Sequence, residues 1–164
     1  MRYHNITKDD MLNGEGLRTV LWVAGCSHNC PQCHNPVTWD INGGLAFDEA
    51  AKEELFEELK KDYISGVTFS GGDPLHEKNR EEIGNWQKTY GKNFQIKLFG
   101  CIPVMNGRRS VVFHFFPILN VIVDGEFKIE EKDNSLHWKG SANQRVIDVK
   151  ESLKTGKVQL YRKY

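Results

Sequence analysis

Three cysteines crowd into one short stretch, Cys26-Ser27-His28-Asn29-Cys30-Pro31-Gln32-Cys33. Thiolates at this spacing can converge on a single metal centre, because so short a loop can curl around a cluster a few ångström across. Gly25 lets the chain turn sharply just before the first of them. Four cysteines would close a site for structure or electron transfer; three leave a position open for substrate. Other chemistries fit parts of the same loop. With His28 or His34, the three cysteines could form a closed structural zinc site. Cys30-Pro31-Gln32-Cys33-His34 matches the c-type haem attachment pattern, and Cys30 with Cys33 matches a redox Cys-x-x-Cys pair. Both of these leave Cys26 without a role. The fourth cysteine, Cys101, is distant in sequence and reads as a small buried hydrophobe.

A second candidate loop is Ser70-Gly71-Gly72-Asp73-Pro74-Leu75. Gly71 and Gly72 carry no side chains, so backbone there can approach a ligand closely. Asp73 could accept a hydrogen bond from an ammonium group or cap the next segment.

The elements that must hold these loops follow from periodicity. Thr19–Ala24 reads as a buried strand feeding the cysteine loop. Asp48–Lys61 reads as a helix capped by Asp48, with Ala51, Leu55 and Leu59 on its inward face. Gly66–Phe69 is a strand feeding the glycine loop. Asn79–Tyr90 is a second helix with Ile83, Trp86 and Tyr90 inward. Phe94–Phe99 and Asn120–Val123 are further strands, the last stopped by Asp124-Gly125. Alternating strands and helices predict βα units and a mainly parallel sheet in one domain over residues 1–164. Ligands of such sheets bind at the carboxyl ends of the strands.

Composition bounds the function. The 164 residues carry 22 basic and 22 acidic side chains, so the net charge is zero. That balance offers no footprint for nucleic acid or for an anionic membrane surface. No apolar run is long enough to span a bilayer, and Met1–Asp10 lacks a signal core. A cytoplasmic protein with reduced thiols is expected.

Taken together, these segments resemble the radical S-adenosylmethionine superfamily, and within it the glycyl-radical activating enzymes. Asn13-Gly14-Glu15-Gly16-Leu17-Arg18-Thr19, the following strand and Gly25-Cys26 are similar to the approach to their cysteine loop, and Cys33-His34-Asn35-Pro36 continues it. Ser70–Leu75 resembles their glycine motif. Val121–Phe127 and Leu136–Arg145 resemble the C-terminal signature of the activating proteins for anaerobic ribonucleoside-triphosphate reductase. The likeness runs from about Tyr3 to Val146. It implies a partial (βα) barrel with a mainly parallel sheet. It implies a [4Fe-4S] cluster on Cys26, Cys30 and Cys33, with S-adenosylmethionine chelated to the fourth iron. Gln32, Cys33 and His34 would lie near the adenine, and Gly71, Gly72 and Asp73 near the methionine ammonium. Asn143 and Arg145 would bind the cofactor carboxylate or ribose, or else make structural contacts. The implied partners are the large anaerobic reductase, whose glycine becomes a radical, and a flavodoxin-type electron donor. One stretch departs from the pattern: Leu98-Phe99-Gly100-Cys101-Ile102-Pro103 stands where relatives carry Thr-Gly-Tyr and a helix, and Val104–Pro117 lacks a helical period.

Overall fold

The computed structural model describes residues 1–90, 95–99 and 119–161. Cys101 and the run Val104–Pro117 lie outside the described residues.

Eight strands form one sheet in the order β3-β1-β2-β4-β5-β6-β7-β8. They are β1 (Arg2–Asp10), β2 (Leu17–Val23), β3 (Leu45–Ala46), β4 (Ile64–Gly71), β5 (Gln95–Phe99), β6 (Val121–Asp124), β7 (Arg145–Asp148) and β8 (Gln159–Leu160). Among the described residues there are three α-helices: α1 (Glu49–Leu59), α2 (Glu77–Tyr90) and α3 (Val149–Thr155).

The expected partial (βα) barrel with a mainly parallel sheet is not what forms. Only the centre is parallel, through the pairs β2–β4, β4–β5 and β5–β6. The flanks, β1–β2, β1–β3, β6–β7 and β7–β8, are antiparallel. The result is a small α/β fold on a mixed sheet. The reason lies in the connections. A parallel neighbour needs a crossover of a dozen or more residues. Only residues 11–16 separate β1 from β2, so the chain can only turn back. Strand β1 itself was hidden by its composition. Of its nine residues Tyr3 alone is buried, so no apolar alternation marks it.

Other expectations hold. Asp48 caps α1 by accepting from the Ala51 N–H at 3.0 Å. Ala51, Leu55 and Leu59 from α1 join Leu21, Val23, Val67 and Phe69 from the central strands in one core, with Ile83 and Trp86 of α2. Burying so many large apolar side chains is the main stabilising term, at about 25 cal/mol per Å² removed from water.

The opposite face of β2 carries a fully buried Arg18. Its Nε donates to Thr68 Oγ1 at 2.8 Å, and a second nitrogen donates to the Val67 carbonyl at 2.7 Å. Thr68 in turn donates to the Asn13 carbonyl at 2.9 Å. Burial lowers the Arg18 pKa to about 10, which still leaves it charged at neutral pH. This network explains much of the Asn13–Thr19 motif as structure: it ties the β1–β2 turn to β4 at the end of the sheet away from the cysteine loop.

Candidate active-site cleft

Register puts the two candidate loops side by side. In the parallel pair β2–β4, Trp22 faces Ser70 and Val23 faces Gly71, so both strands end at the same level. Their outgoing loops then lock together. Gly72 N–H donates to the Val23 carbonyl and Asp73 N–H to the Gly25 carbonyl, each at 2.8 Å. The cysteine loop is pinned from its far side as well, because Gly25 N–H donates to Thr38 O at 2.7 Å and Cys26 N–H to Trp39 O at 3.1 Å.

This packing accounts for the glycines. Gly25 has φ +99° and Gly71 has φ +95°, values that L side chains rarely adopt. A Cβ on Gly72 would stand 2.6 Å from the Gly25 carbonyl oxygen and 3.0 Å from that of Thr38. The space beside Gly72 is therefore filled by the chain's own backbone.

Cys26, Cys30 and Cys33 line one open cleft, with about 840 Å³ of atom-free space, together with His34, Gly71, Gly72 and Asp73. The facing wall comes from the end of β6 and the segment before β7: Val123, Phe127, Trp138, Lys139, Gly140 and Gln144. Cys30 is buried and its carbonyl accepts from Cys33 N–H at 3.1 Å. Asn35 N–H points at Cys33 Sγ, 3.4 Å away. Burial pushes the Cys26 thiol up, the His28 backbone N–H pulls it down, and nearby Asp73, Cys30 and Cys33 push it up again. Asp73 is mostly buried; one carboxylate oxygen accepts from Leu75 N–H at 2.9 Å, and the other lies 3.4 Å from His28 Nε2.

The fit to a cluster rests on the donor set. Among the described residues no three His, Cys, Asp or Glu side chains already stand in a metal-ligating array. The three cysteines nevertheless share the cleft, and they sit in an irregular loop whose ends are fixed by backbone hydrogen bonds. His28 is turned toward Asp73, so it does not stand as a fourth ligand beside them. Three thiolates, with no fourth cysteine beside them among the described residues, suit a cluster that keeps one iron for substrate, and an N–H donor to sulfur is a usual tuning contact for such clusters.

The remaining sequence-predicted residues fall in different places. His34 is exposed at the rim, its ring 5.7 Å from that of Phe127. Gln32 is exposed in a left-handed conformation, φ +55°, and does not line the cleft. Asn143 donates to the Glu126 carbonyl at 2.7 Å. Arg145 pairs with the buried Asp124, with Nε 2.9 Å from Oδ1. Neither Asn143 nor Arg145 lines the cleft. Between them, Gln144 does, and its amide braces the wall by accepting from Gly140 and Ser141 N–H and donating to the Gly125 carbonyl. Arg145→Met would strand the Asp124 carboxylate, and the expected cost is about 2 kcal/mol. Thermal unfolding of the chain reads it directly. An unchanged melting temperature with weakened S-adenosylmethionine binding would instead make Arg145 a ligand.

Sequence reasoning gave Phe127, Trp138 and Gln144 no individual role, although aromatic residues in a loop following a strand are a usable signal. It also missed Asn79, which sits on the first turn of α2 between the two loops. Nothing in a polar residue near a helix start distinguishes it from a cap.

Comparison with known proteins agrees with the site. The family described as a 4Fe-4S single cluster domain matches residues 12–147. The anaerobic ribonucleoside-triphosphate reductase-activating protein of Escherichia coli is 36% identical over 153 residues, covering 89% of this chain and 97% of its own. The protein of the same name from Enterobacteria phage T4 is 37% identical over 149 residues, with 89% and 93% covered. That from Haemophilus influenzae is 35% identical over 153 residues, with 89% and 97% covered. A cysteine loop facing a cleft, a 4Fe-4S domain match over most of the chain and relatives aligned nearly end to end converge on one conclusion: this chain belongs to the family of anaerobic ribonucleoside-triphosphate reductase-activating proteins.

Proposed function

We propose that this chain is a radical enzyme that activates the large anaerobic ribonucleoside-triphosphate reductase. Cys26, Cys30 and Cys33 would hold a [4Fe-4S] cluster, and the Gly71–Asp73 loop would hold the amino-acid end of S-adenosylmethionine beside it. With both groups held there, the site would supply one-electron reductive cleavage of the sulfonium C–S bond and, through it, hydrogen-atom abstraction from a glycine α-carbon of the reductase. The chain's own residues position and shield. Asp73 offers a carboxylate to the ammonium. The Leu75 N–H holds one of its oxygens, and the His28 ring lies beside the other. Phe127, Trp138 and Val123 give the cleft an apolar wall that excludes water from a reactive alkyl radical. His34, beside Phe127, and backbone near Cys33 would contact the adenine. The electron would come from a flavodoxin-type donor in a cytoplasmic setting.

The observation that carries this reading is the set of three cysteines opening onto a cleft whose other rim is a Gly-Gly-Asp loop locked to the cysteine loop. Its test is to mix the loaded chain, S-adenosylmethionine, a low-potential reductant and the large reductase without oxygen. Electron paramagnetic resonance should then show a doublet from a glycyl radical on the reductase. A reductase that stays silent, although this chain turns over S-adenosylmethionine, would exclude it as the partner.

A further inference from the structure

Asn79 stands where the two loops meet. It is fully buried on the first turn of α2. Its Nδ2 donates to the Ala24 carbonyl at 2.8 Å and to the Asp73 carbonyl at 3.0 Å. Both partners are acceptors, which fixes the amide orientation. Ala24 lies two residues before Cys26, and Asp73 is itself a cleft residue. One amide group thus bridges the backbone that carries the first cluster ligand and the backbone that carries the carboxylate. The carbonyls would repel each other if nothing donated between them, and both lie where water does not compete. A substituent on Gly25 would come within 3.5 Å of the same nitrogen, so the loop passes close over the amide.

We infer that Asn79 is a positioning residue for S-adenosylmethionine: it sets the separation of the cysteine loop from the Gly-Gly-Asp loop without touching iron or substrate. The inference rests on the cofactor reading above. It predicts a split. Cluster loading depends on the cysteines within one loop and survives the loss of Asn79. Cofactor binding spans both loops and does not.

The experiment uses the full chain reconstituted with iron and sulfide, as wild type, Asn79→Asp and Asn79→Ser. Aspartate keeps the shape and removes the paired donor; serine supplies a second variant should the first fold poorly. Gln87→Leu is the control. Gln87 is buried on the same helix and has no hydrogen-bond partner among the described residues. Iron and sulfide content should match wild type in both Asn79 variants. The S-adenosylmethionine concentration that perturbs the paramagnetic spectrum of the reduced cluster should rise at least about tenfold, as expected for two lost buried hydrogen bonds. In the unloaded chain, hydrogen exchange at the Gly72 and Asp73 amides should accelerate by a similar factor, while Gln87→Leu leaves both readouts unchanged. Unaltered titration and exchange in the Asn79 variants would overturn the inference. So would an equal effect from Gln87→Leu, which would reduce Asn79 to general helix stability. A wild-type chain whose cluster ignores S-adenosylmethionine would sink the cofactor reading instead, and the exchange measurement would still judge the clamp.

Discussion

Replacing any one of Cys26, Cys30 and Cys33 by alanine should abolish cluster loading, from about four irons per chain to nearly none. All three line the same cleft. The loop that carries them is short, and its Gly25–Cys26 end is tied to Thr38, Trp39 and the glycine loop. Among the described residues His28 is turned to Asp73 and not to the cysteines. Two thiolates would have to hold a group that normally takes at least three, and metal-binding free energies on the order of 10 kcal/mol depend on the full ligand set. Cys101→Ala should leave loading intact, since Cys101 belongs to no part of the motif. Iron and acid-labile sulfide, counted after anaerobic reconstitution, decide the matter. A chain that needs Cys101 and dispenses with Cys26 would show the ligand assignment to be wrong, and zinc in place of iron and sulfide would show the chemistry to be wrong.

Gly72→Ala should force apart the two loops that meet at the cleft. The new carbon would meet two carbonyl oxygens, Gly25 at 2.6 Å and Thr38 at 3.0 Å, and both belong to backbone. Flexible side chains can step aside from such a clash, whereas these carbonyls are held by the hydrogen bonds that seat the cysteine loop. One of those bonds, Gly25 N–H to Thr38 O, would have to stretch as the loops part. Overpacking of this kind costs about 1–3 kcal/mol, which for a chain of this size lowers the melting temperature by roughly 2–12 °C. S-adenosylmethionine binding should fall with it, because the cleft rim is the element displaced. A variant with the wild-type melting temperature would mean that the loops separate freely and that Gly72 does something other than pack.

Much of the site was legible before any coordinates. The cysteine spacing and the Gly-Gly-Asp segment are local signals, and strands β2 and β4 are apolar enough to show that each loop follows a strand. The inward faces of α1 and α2 were equally plain from residues such as Leu55 and Ile83. What failed was topology. The alternation of strands and helices suggests a mainly parallel sheet, but the short connection over residues 11–16 turns β1 back against β2, and β7 and β8 extend the other edge antiparallel. The roles of Asn143 and Arg145 were undecided for a related reason. Their sequence neighbourhood matches a cofactor signature, yet only the pairing of β6 with β7 brings Arg145 against Asp124. Asn79 was invisible because its partners, Ala24 and Asp73, become neighbours only when β2 and β4 align.

We propose above all that this chain cleaves S-adenosylmethionine at a cluster held by the three-cysteine loop. The most direct measurement is 5′-deoxyadenosine by chromatography, after anaerobic reconstitution with iron and sulfide and reduction with dithionite in the presence of S-adenosylmethionine. We expect the nucleoside to accumulate with the wild-type chain and to be absent with Cys26→Ala. A fully loaded and reduced cluster that yields no 5′-deoxyadenosine, even with the large reductase present, would contradict the account.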